Sequence, residues 1–171
     1  MAVYTKINLD ILSNLLKKYE IGQLTSFEPI YEGVENTNYK IITSNNTYIL
    51  TIFEKRVKKN DLPFFINLKN HLSKKNFQCP KPIENKIGEY IDSIKEKPCI
   101  IVSFLNGKKT SYITEENCEQ LGNQISIMHN ITLDLNISRE NYLSQKYWRE
   151  IFEGFRKFKK DKYNSLYKKI N

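Results

Sequence analysis

Residues 30–53, IYEGVENTNYKIITSNNTYILTIF, decide the fold of this chain. Apolar and polar residues alternate on both sides of Ser44-Asn45-Asn46, and β-branched and aromatic types dominate both runs. That pattern predicts two strands joined by a tight hairpin turn. The same period of two reaches back to Leu24, so another strand precedes the hairpin, separated from it by Gly33-Val34-Glu35-Asn36-Thr37-Asn38. Gly33 permits close approach of backbone to a ligand, and the amides and the Thr37 hydroxyl that follow are suitable donors to phosphate oxygens. A single glycine is far from GxGxxG or a Walker loop, and an Asn/Thr-rich connection serves equally well as a plain turn.

On the N-terminal side, Asn8 is a suitable N-cap, Ile7 and Leu12 occupy staple positions, and Leu12, Leu15, Leu16 and Tyr19 form one apolar stripe ended by Gly22. On the C-terminal side, a helix is predicted from Asp61, with Pro63 in its first turn and Phe64, Phe65, Leu68 and Leu72 on one face. Cys79-Pro80-Lys81-Pro82 must be extended, because a proline pushes the residue before it out of the α region. Two strands near Glu89–Ile94 and Cys99–Phe104 follow, with a turn at Lys95-Glu96-Lys97. The second runs into Asn106-Gly107, where the text changes from β-rich to helical. If this junction is a hinge between lobes, backbone groups of Ser103 and Leu105 are placed to recognise adenine; a core strand with a loop is the alternative.

Thr114 caps the next predicted helix, which carries Cys118, Leu121, Ile125 and Met128 and ends near Asn130. The last, from about Gln145, carries Tyr147, Trp148, Ile151, Phe152, Phe155 and Phe158 in a stripe wide enough to need a partner surface. The expected class is therefore α+β: a mostly antiparallel sheet with a packed helix over residues 1–106, then the first helices of a second, incomplete lobe over 107–171.

Composition narrows the functional classes. The 171 residues suit a chain with a continuous core, and 40% are hydrophobic. No run approaches the apolar length of a membrane span and the N-terminus lacks an apolar signal core, so a cytoplasmic, membrane-free protein is expected. Cys79, Cys99 and Cys118 form no CxxC pair and are expected to be buried, reduced thiols; with only the isolated His71 and His129, a zinc cluster is not expected. The net charge is +8, and Arg156–Asn171 holds seven basic residues against Asp161. Six of the eight excess charges thus lie in that tail, and the near balance elsewhere argues against nucleic acid as a specific partner.

Taken in order, GVENTNY, YILTIFEK, DLPFF, CPKP, IVSFLNG, LGNQISIMHN and SRENYLSQKYW resemble the type II homoserine kinases, members of the aminoglycoside-phosphotransferase and choline-kinase superfamily with a protein-kinase-like fold. The resemblance covers essentially the whole chain. It implies phosphoryl transfer from ATP, with Mg2+, to the hydroxyl of L-homoserine in threonine biosynthesis. Gly33, Val34, Glu35, Asn36, Thr37 and Asn38 match the loop that covers the phosphates, and Ser103 to Leu105 match the adenine hinge. Gly122, Met128 and His129 match a scaffold helix, and Arg139, Asn141 and Trp148 match a segment to which no chemical role is assigned.

Two departures stand out. Superfamily relatives place Lys or Arg where this chain has Thr51, which leaves Lys55, of the same strand parity, as the candidate phosphate contact. Neither the H-[GA]-D-x-x-x-x-N loop nor the later I-D-F segment that supply the positioning Asp and the metal ligands occurs in these 171 residues. The chain is accordingly expected to be an N-terminal fragment of a homoserine kinase, inactive alone. Other expectations left open are a different small-molecule kinase of the superfamily, a non-catalytic nucleotide-binding module, and a polyanion-binding protein acting through the basic tail.

Overall fold

The computed structural model describes residues 3–55, 57–108 and 110–158. The chain divides into two compact units, Met1–Ile137 and Ser138–Asn171.

The first unit is built on an antiparallel sheet of β1 (Leu24–Ile30), β2 (Thr37–Thr43), β3 (Thr47–Ile52), β4 (Asp92–Ile94) and β5 (Lys97–Ser103), in the order β1-β2-β3-β5-β4. Strict alternation sorts the side chains to its two faces. Tyr39, Ile41, Tyr48, Leu50, Ile52, Cys99 and Ile101 point to one face and pack on Leu12, Leu15 and Leu16 of α1 (Leu9–Leu16). The opposite face, through Ile100 and Val102, packs on Leu62 and Ile66 of α2 (Leu62–Lys74), with Ile49 alongside. One helix therefore covers each side of the sheet, and the β1–β2 half of the second face lies beyond the α2 cluster.

Local signals predicted most boundaries. Asn8 caps α1 by accepting the Ile11 amide at 3.0 Å. The helix stops at Leu16, earlier than the Gly22 expectation, because the amides of Lys18 and Tyr19 turn back to Leu15 and Leu16 in a tightened last turn. Gly22 has a separate necessity: its φ is +87°, and a Cβ there would sit 2.5 Å from Ser44 Oγ. On α2 the buried stripe is Leu62, Ile66 and Leu72. The predicted stripe of Phe64, Phe65 and Leu68 is only half-buried, and the two Phe rings pack edge to face on each other at 5.5 Å. β4 is shorter than expected, and the turn beside it puts Lys95 and Glu96 at φ +50° and +64°. The segment at Lys81–Ile83 runs along the other end of β5, where Ile83 N donates to Ile101 O and Ser103 N to Lys81 O.

The helix α3 (Glu115–Ile131) starts with a complete capping box between Thr114 and Asn117. Its end is fastened to α2: His71 Nε2 lies 2.7 Å from Ile131 O and 3.2 Å from Asp134 Oδ1, and Lys75 pairs with Asp134 at 2.9 Å. None of its predicted stripe is buried among the described residues; Leu121 is 61% exposed. Cys118 on that helix is exposed and Cys79 half-buried, which corrects the expectation of three buried thiols. Cys99 is buried, and desolvation, with Asp92 nearby, pushes its thiol up to about 12.

In the second unit, α4 (Gln145–Phe158) is anchored at its start by Trp148 Nε1, which donates to Leu143 O at 2.8 Å. The Trp148 ring is otherwise 61% exposed. The side chains of Phe155 and Phe158 and the rest of the basic Arg156–Asn171 tail lie outside the described residues.

Candidate nucleotide-binding face

The loop between β1 and β2 opens the site. Gly33 takes φ +109°, a conformation that L side chains rarely adopt, so this turn of the chain depends on glycine. Val34 and Glu35 are exposed beside it. Asn36 is half-buried, and its Oδ1 is enclosed with no hydrogen-bond partner among the described residues. An enclosed acceptor of this kind is an unmet demand for a donor at the base of the loop.

Thr37 and Asn38 then diverge. Thr37 is fully buried on the α1 side of the sheet, and its hydroxyl donates to Glu54 Oε1 at 2.7 Å while accepting the amides of Tyr4 and Thr5. One donor and two acceptor positions are all a hydroxyl has, so none remains for phosphate. That revises the role read for Thr37 from the sequence. Asn38 faces the other way, opposite Thr51 in register, and its Oδ1 accepts the Thr51 hydroxyl at 2.8 Å. The Asn38 amide nitrogen adds two N–H donors to the face that Asn38 shares with Thr51.

The next rung of the same face pairs Lys40 with Ile49. Lys40 Nζ lies 3.3 Å from Glu28 Oε1 and 5.5 Å from the centre of the Phe104 ring, so the face carries a cation, one rung nearer the C-terminal end of β5 than Thr51. Stepping the alternation two residues on from Asn38 would have found it. Lys55 is exposed in a bend beyond β3, with Phe53 of the α2 cluster between it and Thr51 in the chain.

At the end of β5, the Ser103 amide is committed to Lys81 O at 2.8 Å, its Oγ accepts the Lys81 amide at 2.9 Å, and Phe104 N donates to Thr47 O. Leu105 is 38% exposed, and its backbone groups have no hydrogen-bond partner among the described residues. The two residues expected to meet adenine thus differ: Leu105 offers open backbone groups, whereas the Ser103 N–H is used. The structure brings Asn38, Thr51, Lys40 and Phe104 to one sheet face, with the Gly33 loop leading into β2 and Leu105 following the end of β5. A groove of about 900 Å3 lies elsewhere, between the start of α2 and residues 85–93, and takes in none of these residues.

A five-stranded antiparallel sheet with a glycine-dependent loop between its first two strands and a helix on each face is the architecture of the amino-terminal lobe of a kinase-like fold. Residues 26–162 match the sequence profile of the phosphotransferase enzyme family. The chain belongs to that family. It is 41% identical over 154 residues to the homoserine kinase of Hyphomonas neptunium, covering 90% of this chain and 47% of that protein. It is 42% identical over 152 residues to the homoserine kinase of Methylobacterium radiotolerans, again covering 47% of the relative. The chain therefore spans about half the length of the curated relatives it matches. Among solved family members, a spectinomycin phosphotransferase in complex with ADP and spectinomycin superposes with a TM-score of 0.60 at 20% identity, covering 88% of this chain and 47% of that one. An aminoglycoside phosphotransferase from Alicyclobacillus acidocaldarius gives 0.60 at 11% identity. These superpositions establish the shared fold.

Proposed function

We propose that this chain is the nucleotide-binding part of an ATP-dependent homoserine kinase. The observation that carries the reading is the identity of about two residues in five with homoserine kinases, sustained over 90% of the chain. ATP would lie on the β1–β2 half of the sheet. The loop amides from Gly33 to Asn36 and the Asn38 amide would receive the phosphates, and Leu105 the adenine. Hydrogen-bond donors fixed to backbone and strand suit phosphoryl transfer, in which positioning and charge neutralisation supply most of the catalysis. Lys55 remains a candidate phosphate contact from the exposed bend. Mg2+ would be held by the family's H-[GA]-D-x-x-x-x-N loop and I-D-F segment, which these 171 residues do not contain. We place the lobe boundary at residues 106/107 and the protein in the cytoplasm. No helix among the described residues is long and apolar enough to cross a membrane.

The test is a pair of spliced proteins. Residues 1–158 are joined at the matching position to the C-terminal half of the Hyphomonas neptunium homoserine kinase, or to that of the spectinomycin phosphotransferase. Homoserine-dependent ADP release is expected from the first, and no spectinomycin-dependent release from the second. A folded first protein without homoserine-dependent turnover would overturn the assignment.

A further inference from the structure

The segment ahead of α1 crosses the base of the β1–β2 loop and is tied to it at three points. Tyr4 Oη donates to Val34 O at 3.1 Å, and the amides of Tyr4 and Thr5 donate to Thr37 Oγ1 at 3.0 and 3.1 Å. The segment is itself held from behind. Thr5 Oγ1 donates to Glu54 Oε1 at 2.7 Å and accepts from Lys97 Nζ at 2.7 Å, and Tyr39 Oη donates to Thr5 O at 3.0 Å. Lys97 closes the circuit with a salt bridge to Glu54 Oε2. Every donor and acceptor of the Thr37 hydroxyl is spent in this circuit, which makes the loop base a fixed point.

The loop tip lacks such support from the sheet, since β1 ends at Ile30 and β2 begins at Thr37. Among the described residues the Val34 carbonyl is reached by the Tyr4 phenol, an exposed group that lies 30 positions away in sequence. In a planar trans peptide the carbonyl of one residue and the N–H of the next point in opposite directions, so holding the Val34 carbonyl also fixes the direction of the Glu35 N–H. A loop already in that shape loses less conformational entropy when a phosphate arrives.

We propose that Tyr4 is a positioning residue: with Thr5 it straps the loop into its phosphate-receiving shape without touching the nucleotide. The inference rests on the nucleotide reading of the previous section. It predicts a selective effect, because loop order matters to phosphates and little to the base.

The test uses Tyr4→Phe, which removes one exposed hydroxyl and leaves the core alone. ATP affinity is expected to fall about fivefold, the factor one ordinary hydrogen bond is worth, while adenosine affinity stays unchanged. Backbone order parameters of residues 33–36 should fall in the same variant without nucleotide, with those of β2 and β3 unmoved. Thr37→Ser, which keeps the hydroxyl, should behave as the parent, and Thr37→Val should lose more than Tyr4→Phe. Unchanged loop order in Tyr4→Phe, or equal losses for ATP and adenosine, would overturn the strap. Failure of the parent chain to bind either compound would instead overturn the nucleotide reading and the predicted affinity effect, leaving the loop-order result to decide the strap by itself.

Discussion

Replacing Glu54 by Leu is expected to cost about 3 kcal/mol of stability, measured by denaturant unfolding. Glu54 lies just past β3 with its side chain 8% exposed, and it accepts from two hydroxyls and an ammonium. Leucine matches the bulk and accepts nothing, so the Thr5 and Thr37 donors are stranded inside. Lys97 is 38% exposed and can turn to water, which keeps the loss below that of a fully enclosed ion pair.

The same residue sets an acid limit. Burial pushes the Glu54 carboxyl up, but the hydrogen bonds from Lys97, Thr37 and Thr5 and the Lys97 charge together outweigh it and hold the group below its ordinary value of 4.5. The unfolded chain therefore binds the proton first. Stability from this group is full above that ordinary value and drains as pH falls through the lower folded value. Glu54→Gln should remove that part of the acid slope. An unchanged slope would show that the carboxylate is not held in its charged form by the circuit.

Gly33→Val carries the other large expectation: ATP affinity weaker by about 10- to 100-fold, with the unfolding midpoint nearly unmoved. At φ +109° a β-branched residue is strained by about 1–3 kcal/mol. The loop is exposed and contributes little to either hydrophobic cluster. It can relieve the strain by reshaping, so the loss should appear in binding rather than folding. Titration of ATP into the variant checks this, and parental affinity would separate the loop from the nucleotide site.

What could be read ahead of the structure was local in origin. The Asn8 and Thr114 caps, the Ser44–Asn46 turn and the β2–β3 alternation each follow from residues within a few positions of one another. The place of the turn at Lys95-Glu96 follows from the strand patterns on either side of it, whereas its left-handed conformations do not, because neither residue is Gly or Asn. The α2 stripe was misplaced because two adjacent Phe residues outweighed the i, i+4 pair of Leu62 and Ile66.

In the loop, the backbone freedom of Gly33 was legible from residue type alone, whereas the engagement of the Thr37 hydroxyl was not. Its partners Tyr4, Thr5 and Glu54 come from distant parts of the chain, and only the pleat direction tells whether its hydroxyl faces phosphate or core. Tyr4 lies in none of the quoted motifs, and although Glu54 lies in YILTIFEK, its partners Thr5, Thr37 and Lys97 are distant in the chain. Lys40 did leave a trace, through its parity with Asn38 and Thr51. Assigning Ser103 and Leu105 as a pair assumed two open backbones, and the Lys81 bonds to Ser103 could be known only once the segment near Pro82 was seen to run beside β5.

The central claim is that these 171 residues hold a nucleotide site without the residues that complete phosphoryl transfer. Calorimetric titration of the chain with Mg2+–ATP, followed by assay of the same sample for homoserine-dependent ADP release, tests it most directly. The account predicts saturable ATP binding, lost in Gly33→Val, and no homoserine-dependent ADP. Absence of binding in a folded sample would contradict the nucleotide site, and turnover would contradict the need for the H-[GA]-D-x-x-x-x-N loop.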